Sequence, residues 1–344
     1  MKFLPIRFSV LLVLGFCLSS LCWLTACSVL QGSATGNDSA PLRVAYSVWP
    51  GYFPMAIAQK EGLFVKRGVA VEVVFDGSDT APEKLVSDLA AGKLDGAFMS
   101  LGEAFNVTNS NPNVRIVAVV DRSDGGDTIV AQSAIGKIED LKGKKLGVKL
   151  GGFSELFANE MLRMHGLTPN DVMLVRVPAG EVPDRILDGS IQAGHTWEPY
   201  LSQVVPSQAK VLFTSRETPG LIPDVIVFSE SVVRDRPQEI QAFLQTWFEA
   251  VERWKANPDE GSAVIAKTLN LDPKTVSLEG IQLLGMAENL TTFQPGADSQ
   301  SIVYTAQLYM NAFAQMGSLK RPIQLDKFLE PRFVKALANQ MPSE

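Results

Sequence analysis

Two short segments of the chain combine a helix-start signal with groups that can hold a negatively charged ligand. Serine stands three residues before glutamate at 100–103, the spacing of a capping box, and residues 151–154 read GGFS. Backbone N–H groups at a helix N-terminus can bind an oxyanion without any arginine. Ordinary helix capping, with Ser154 as the cap, explains both segments equally well, so capping and ligand contact remain open. The candidate contacts are Ser100, Glu103, Gly152, Phe153 and Ser154.

Aromatic residues follow two of the predicted strands. Trp49 and Tyr52 come after one strand and Trp197 after another, each at the start of a loop. Such rings can enclose the apolar part of a small ligand, and Trp and Tyr add a polar group. Burial in the core is the alternative for all three. Glu198 precedes Pro199, a favoured first helical residue, so Glu198 either contacts ligand or complements the helix dipole.

Four acidic residues are candidates for the same region, namely Glu103, Asp127, Glu198 and Asp224. Carboxylates beside aromatic rings favour a ligand that carries an ammonium or amine group, through ion pairing and cation–π contact. A small zwitterion with an acid group and an amine fits this combination better than a simple anion. The hypothesis rests on residue types alone.

The few histidines and cysteines leave little material for catalysis or for a metal. The chain has two histidines and three cysteines. His165 precedes Gly166 at a predicted helix end, where it complements the helix dipole. His195 either touches ligand or is a hydrogen-bonded strand residue. Neither Ser/His/Asp spacing, metal-ligand spacing nor a phosphate-binding loop stands out, so we expect no catalytic residues, metal or cofactor.

Strand and helix signals alternate from Leu42 onward, which predicts βαβ units and a largely parallel sheet. Residues 44–63 align without gaps on residues 148–167, and residues 89–97 align on residues 186–194. Any two βαβ units look somewhat alike, but two matched blocks in the same order favour two similar lobes. Ligands bind outside the carboxyl ends of strands in such sheets, so facing lobes would form a cleft between them.

The charge of the chain excludes one large class of partner. Its 344 residues are 46% hydrophobic and carry a net charge of −6. Nucleic-acid binding calls for a basic surface, so we expect no nucleic-acid partner. The apolar fraction is that of a folded protein, and residues 237–341 show the periodicity of helices.

The amino terminus has the layout of an export signal. Lys2 and Arg7 precede an apolar run at 8–26, which ends in Leu-Thr-Ala followed by Cys27. This ending resembles a bacterial lipobox, in which the cysteine is lipid-modified after residues 1–26 are removed. The alternative is an uncleaved membrane helix, because 19 residues just span a bilayer. Residues 27–41 are then a flexible, lipid-anchored linker.

Five sequence blocks in a fixed order resemble one family of transport receptors. They are VWPGY at 48–52, AQKEGLF at 58–64, AGKLDGA at 91–97, DLKGKKLGV at 140–148 and AGHTWEP at 193–199. Over residues 42–250 the chain is similar to the solute-binding proteins of ABC transporters that take sulfonates, taurine, nitrate and pyrimidine precursors.

The resemblance implies an α/β chain with the type II periplasmic-binding-protein fold, in which two lobes close on a ligand about a hinge. Lobe one is expected at 42–130 and lobe two at 131–222. Residues 223–344 return to lobe one and add the C-terminal helices. The crossings are placed near Ala131 and at 221–224.

The resemblance also implies a function. We expect an extracytoplasmic protein that captures a ligand, without catalysis and without a cofactor. It would be a monomeric lipoprotein that delivers a small sulfonate- or taurine-like molecule to an ABC permease and touches the membrane only through the lipid. The alternative is a protein that binds, or like a synthase processes, a thiamine-pyrimidine precursor. Those synthases use a cysteine-rich motif, whereas this chain keeps only Cys27 after export.

Overall fold

Two β-sheets, each flanked by helices, form the part of the chain that the structure describes. This computed structural model describes residues 40–78, 81–111, 113–204 and 208–339. The expected export signal, Cys27 and nearly all of the expected linker therefore lie outside the described residues. None of the described helices is long and apolar enough to cross a membrane.

The strands within the described residues are numbered β1 to β11 along the chain. They span Leu42–Ser47, Val71–Asp76, Gly96–Ser100, Val114–Ser123, Thr128–Gln132, Lys145–Val148, Met173–Arg176, Ala193–Thr196, Ala209–Thr214, Pro223–Ser229 and Ile281–Leu283. The first sheet has the order β11-β4-β10-β3-β1-β2, and the second has the order β7-β6-β8-β5-β9.

The described helices are numbered α1 to α13 in the same way. They span Pro54–Lys60, Leu63–Lys66, Ala81–Ala90, Leu101–Ser110, Phe153–Met164, Val182–Leu187, Glu230–Asp235, Pro237–Ala256, Pro258–Leu269, Met286–Thr292, Ile302–Gln315, Leu325–Phe328 and Arg332–Ala338. The segment from Pro54 to Lys66 forms two helices, α1 and α2. Gly62 lies between them with φ of 64°, a left-handed conformation that favours glycine.

The internal repeat of the sequence corresponds to a repeat of topology. β2-β1-β3-β10 in the first sheet has the same order as β7-β6-β8-β5 in the second. The aligned blocks at 44–63 and 148–167 begin in β1 and β6, the equivalent strands. The two lobes are therefore built on the same plan, with their equivalent strands ending at equivalent places.

The sheets are mixed rather than largely parallel, which corrects the sequence prediction. β1 pairs in parallel with β2 and β3, but β10 is antiparallel to β3 and β4. In the second sheet β5 is likewise antiparallel to β8 and β9. β5 and β10 are the strands that the chain forms directly after it crosses from one sheet to the other. Each begins beside the carboxyl end of a parallel strand, so it runs in the opposite direction to that strand.

The first crossing between the sheets occurs earlier than expected. β4 ends at Ser123 in the first sheet, and β5 begins at Thr128 in the second. Residues 128–130 thus belong to the second lobe, although the sequence placed them in the first and set the crossing near Ala131. The chain returns between Thr214 and Pro223. The two crossing segments bond to each other, since the Ser123 and Ser215 hydroxyl oxygens lie 2.8 Å apart.

The C-terminal helices pack on the first sheet. In α8 the side chains of Phe243, Leu244 and Trp247 are buried, and the Phe98 ring of β3 lies 4.8 Å from that of Trp247. β11 extends the first sheet beyond β4. This packing fixes the first sheet firmly, so the ends of β1, β3, β4 and β10 form a stable wall for a site.

Candidate functional site

A cavity of about 50 Å³ lies at the strand ends, between residues of the two sheets. It is lined by Ser47, Val48, Trp49, Tyr52, Pro82, Ser100, Glu103, Asp127, Phe153, Trp197, Ile222 and Asp224. An outer chamber of about 360 Å³ shares several of these residues and adds Lys149 and Tyr200. We call the first space the inner cavity and the second the outer chamber.

The turn after β1 positions two aromatic side chains at the base of the inner cavity. Pro50, Gly51 and Tyr52 form one turn of 3₁₀ helix directly after Trp49. The Trp49 indole N–H donates to Asp121 Oδ2 at 3.0 Å, and the Tyr52 hydroxyl donates to Asp224. The polar ends of both rings are thus bound to carboxyl groups, while the rings themselves line the cavity.

Gly51 permits the close contact between this turn and β4. A Cβ atom added at Gly51 would lie 1.6 Å from Asp121 Oδ2, which is far inside van der Waals contact. Glycine is therefore required here by the approach of the Asp121 carboxyl group, and not by an unusual φ angle.

Asp121 and Asp224 form a carboxyl pair across two neighbouring strands. They are direct partners in the register of β4 and β10, and Asp224 is also the partner of Ser100 on β3. Both side chains are buried. Burial raises the pKa of Asp121 to about 7. Burial, followed by the charge of Asp121, raises the pKa of Asp224 well above its usual range.

The capping box predicted at the start of α4 is present. The Ser100 hydroxyl accepts the Glu103 N–H at 3.2 Å, and the Glu103 carboxylate accepts the Ser100 N–H at 3.0 Å. Both side chains also line the inner cavity. One oxygen of Glu103 lies 3.8 Å from Lys149 Nζ, so the capping carboxylate also faces the second lobe.

The start of α5 differs from the sequence prediction. Gly152 is the N-cap and makes no side-chain bond there, whereas Ser154 is the second helical residue. The Ser154 hydroxyl accepts the Lys149 N–H at 3.0 Å and contacts the His195 ring. Ser154 is thus not the helix cap, and neither it nor Gly152 lines the inner cavity, although Phe153 between them does.

His195 connects Ser154 to Asp127 below the cavity surface. Its Nδ1 lies 2.9 Å from the Ser154 hydroxyl and its Nε2 lies 2.9 Å from Asp127 Oδ1. Because Ser154 already accepts the Lys149 N–H, its own proton is free for Nδ1, which leaves Nε2–H to donate to Asp127. The order differs from that of a serine nucleophile, since Asp127 lines the cavity and Ser154 does not.

Trp197 and Glu198 have different surroundings although they are neighbours. The Trp197 ring lines both spaces and lies 6.1 Å from the ring of Phe153. Glu198 accepts the N–H of Ser202 at 3.1 Å and its hydroxyl at 2.8 Å, and it does not line the inner cavity. For Glu198 the structure favours the interpretation as a local cap rather than a ligand contact.

Eight of the eleven predicted ligand contacts line the inner cavity, and Gly152, Ser154 and Glu198 do not. The predictions missed Ser47, Val48, Pro82 and Ile222 as lining residues, and Asp121 behind them. Asp121 carried a signal, since it is an acidic residue at the end of the otherwise apolar run IVAVVD at 116–121. Pro82 follows the carboxyl end of β2, where the strand-end rule also applies.

This geometry, a cleft between two lobes of equal topology, agrees with the comparison with known proteins. The family model of the NMT1-like family matches residues 35–270. The chain belongs to the NMT1-like family. The resemblance seen in the sequence and the expected periplasmic-binding-protein fold are both confirmed.

Several known relatives of this NMT1-like protein are named as binding proteins. A Bacillus subtilis (strain 168) protein named for binding aliphatic sulfonates is 27% identical over 252 residues, 71% of this chain and 74% of that one. The taurine-binding periplasmic protein of Escherichia coli (strain K12) is 23% identical over 214 residues, 60% of this chain and 64% of that one.

The fold of the NMT1-like chain is also that of solved structures. The alkanesulfonate-binding protein of Xanthomonas axonopodis pv. citri, bound to MOPS, superposes with a TM-score of 0.68 at 15% identity. The match covers 85% of this chain and 99% of that one. At this identity the likeness establishes the shared fold.

Proposed function

We propose that the protein is the extracytoplasmic solute-binding component of an ABC importer and that its ligand is a small zwitterion of the taurine type. The observation that carries the proposal is the lining of the inner cavity. Among the described residues, that lining includes Glu103, Asp127 and Asp224 but neither Lys nor Arg. A ligand with an ammonium group balances this charge, whereas a simple anion would be repelled.

The aromatic side chains support an organic ligand rather than an inorganic ion. Trp49, Tyr52, Phe153 and Trp197 surround the inner cavity from both lobes. Aromatic faces attract a cation and also cover the methylene groups that link an amine to an acid group. We place the ammonium group among the carboxylates of the inner cavity.

The acid group of the ligand would point toward the outer chamber. Lys149 lines that chamber, with its Nζ 2.6 Å from Glu83 Oε1 and 3.8 Å from Glu103 Oε1. A sulfonate there would gain a cationic partner that the inner cavity lacks. A zwitterion aligned in this way matches the change in charge from one space to the other.

Capture by closure fits the placement of the lining residues. Trp49 and Tyr52 belong to the first lobe, while Phe153 and Trp197 belong to the second. Ligand that contacts both sets favours the closed state over an open one, and a permease can recognise that state. We propose that the protein acts as a monomer without catalysis, anchored to the membrane by lipid on Cys27.

One observation favours a second ligand class. The aromatic faces of Trp49, Phe153 and Trp197 would also accept a planar ring, and a basic aminopyrimidine could donate to the carboxylates. The second candidate is therefore the binding of a thiamine-pyrimidine precursor. Both candidates require a nitrogen-bearing group at Asp127 and Asp224.

Isothermal titration calorimetry with four compounds tests the ligand class. Taurine and ethanesulfonate form a matched pair, because they differ in the amine alone; nitrate and the aminopyrimidine precursor of thiamine complete the set. We expect taurine to bind at least about tenfold more tightly than ethanesulfonate, a difference of ~1.4 kcal/mol. Tight binding of nitrate or ethanesulfonate without taurine would overturn the proposal. Binding of the pyrimidine alone would select the second candidate.

A matched pair of variants assigns the effect to the cavity. Asp127→Asn removes a carboxylate from the lining, whereas Glu72→Gln removes an exposed one on the edge strand β2. We expect the first variant to weaken taurine binding and the second to leave it unchanged. Equal affinities in both variants would show that the ligand does not contact Asp127.

A further inference from the structure

We infer that Asp121 and Asp224 share one proton in the ligand-free protein and that an ammonium group entering the inner cavity displaces it. Cation binding and proton release would then be a single exchange. The inference deepens the proposed function, because it states how the cavity accepts the amine of its ligand.

The burial and the cross-strand position of the two carboxyl groups favour a proton on one of them. Asp121 and Asp224 are direct cross-strand partners, and both side chains are buried. Directly opposed residues on neighbouring strands have Cβ atoms about 4.5–5.5 Å apart, so two buried carboxyl groups there disfavour ionisation of both. A proton on one of them lets it donate to the other, because a carboxylate only accepts. The Trp49 indole N–H donates to Asp121, and the Tyr52 hydroxyl donates to Asp224. No described N–H or O–H group donates to Asp121 Oδ1, which is fully buried.

The surroundings of the pair are acidic on most sides. Asp127 from the crossing segment and Glu103 from α4 add their charge, and both raise the pKa of Asp224. Tyr52 from the turn after β1 and Tyr309 from α11 are neutral, since burial raises the pKa of each well above its usual range. The β11 residue opposite Asp121 is Leu283.

The nearby cations and histidine are all engaged elsewhere. His195 is bound to Asp127 and Ser154, and Lys149 lies near Glu83 and Glu103 in the outer chamber. Arg122 follows Asp121 but donates to Thr292 and the Gln300 carbonyl. None of these described side chains therefore donates to the pair.

The exchange balances in atoms and in charge. Before binding, the pair holds one proton and carries a charge of about −1. After binding, both carboxylates are ionised, and the ammonium group lies against Asp224, which lines the inner cavity. The proton leaves for solvent, and the total charge of pair and ligand in the cavity stays the same. The buried cavity thus accepts a cation without a net change of buried charge, which lowers the cost of desolvation.

Carbon-13 NMR of aspartate carboxyl groups tests the shared proton in the absence of any ligand. The purified protein, labelled at the aspartate carboxyl carbons, is titrated from about pH 5 to about pH 9. Asp121→Asn and Asp224→Asn assign the two resonances, and Glu72→Gln is the control that leaves both titrations unchanged. We expect one proton to stay on the pair near neutral pH. Two carboxyl groups that ionise at ordinary acidic pH would overturn the inference.

The same titration with added compounds tests the exchange. Taurine and methylammonium each bring an ammonium group, whereas ethanesulfonate does not. We expect an ammonium compound to lower the apparent pKa of the pair by about 1 or more, and ethanesulfonate to leave it unchanged. If methylammonium alone lowers it, the exchange holds and the taurine-like ligand is wrong. If neither ammonium compound lowers it, the exchange is wrong.

Discussion

At the scale of the residue, Trp197 belongs to both spaces of the cleft. It lines the inner cavity and the outer chamber, and it is half-buried. Its ring lies 5.4 Å from that of His195, which is itself buried. Trp197 therefore presents one face to protein and leaves another for ligand.

Trp197→Ala should weaken ligand binding at least about tenfold, or ~1.4 kcal/mol, and leave the apo protein nearly as stable as before. The reason is that much of the ring contacts the cleft rather than the core. Calorimetric titration gives the affinity and thermal unfolding gives the stability. Trp247→Ala is the control: Trp247 is fully buried in α8, so its loss should cost ~3–5 kcal/mol of stability. A similar loss in Trp197→Ala would assign it to the core.

Local spacing predicted some of these residues and misassigned others. Ser100 and Glu103 lie three apart on one helix start, so their capping box was visible in the sequence. Ser154 was misassigned as the cap because the helix begins at Phe153, two residues earlier than a cap at Ser154 would place it, and the partner of Ser154, His195, lies 41 residues away. Glu198 and Ser202 form a local contact that competes with any ligand contact.

At the scale of the element, the turn after β1 and strand β4 are held together through one glycine. Gly51 lies against the Asp121 carboxyl group, and its neighbours Trp49 and Tyr52 line the cavity. The position of two ligand-facing rings thus depends on a backbone contact that only glycine permits. This contact joins segments about 70 residues apart, so no local pattern in the sequence predicts it.

Gly51→Ala should destabilise the protein by ~1–3 kcal/mol and weaken ligand binding as well. The added methyl group cannot coexist with Asp121 Oδ2, so the turn or the carboxyl group must move. Urea unfolding measures the first effect and calorimetric titration the second. Gly77→Ala is the matched control, because a Cβ there lies at an ordinary 3.4 Å from Phe75. Equal stability of both variants would mean that the turn moves without cost.

The order of the elements was the most predictable part of the fold. Alternating strand and helix signals and the internal repeat indicated two α/β lobes, and the two sheets have the same order over four strands. The antiparallel crossing strands were not predicted, because β5 and β10 are as apolar as their parallel neighbours and hydropathy does not encode strand direction.

At the scale of the whole molecule, the structure shows where part of the acidic charge of the chain lies. The net charge of −6 argues against a nucleic-acid partner, but it does not show where the charge lies. The structure buries Glu103, Asp121, Asp127 and Asp224 near one cavity. These carboxyl groups come from distant parts of the chain, and only the folding of the chain brings them together.

Buried acidic groups with raised pKa values make the stability of the ligand-free protein depend on pH. The pKa of Asp121 rises from about 3.9 in the unfolded chain to about 7 in the folded protein, because burial disfavours its charge. Between these values the folded state binds more protons than the unfolded state. The stability that Asp121 contributes is therefore complete below about pH 4 and is lost as the pH rises through about 7.

Asp121→Asn should make the ligand-free protein more stable than the wild type at about pH 8, by roughly 2–4 kcal/mol. Asparagine stays neutral, keeps an oxygen for the Trp49 N–H and has nearly the same shape, so it avoids the cost of ionising a buried group.

Urea unfolding at several pH values should show the difference in stability between the variant and the wild type shrinking as the pH falls toward about 4. Glu72→Gln, which removes an exposed charge, should show no such trend. A difference that is constant with pH, or that grows on acidification, would contradict the raised pKa of Asp121. The same variant should bind taurine less tightly, so stability and ligand affinity would change in opposite directions at the same residue.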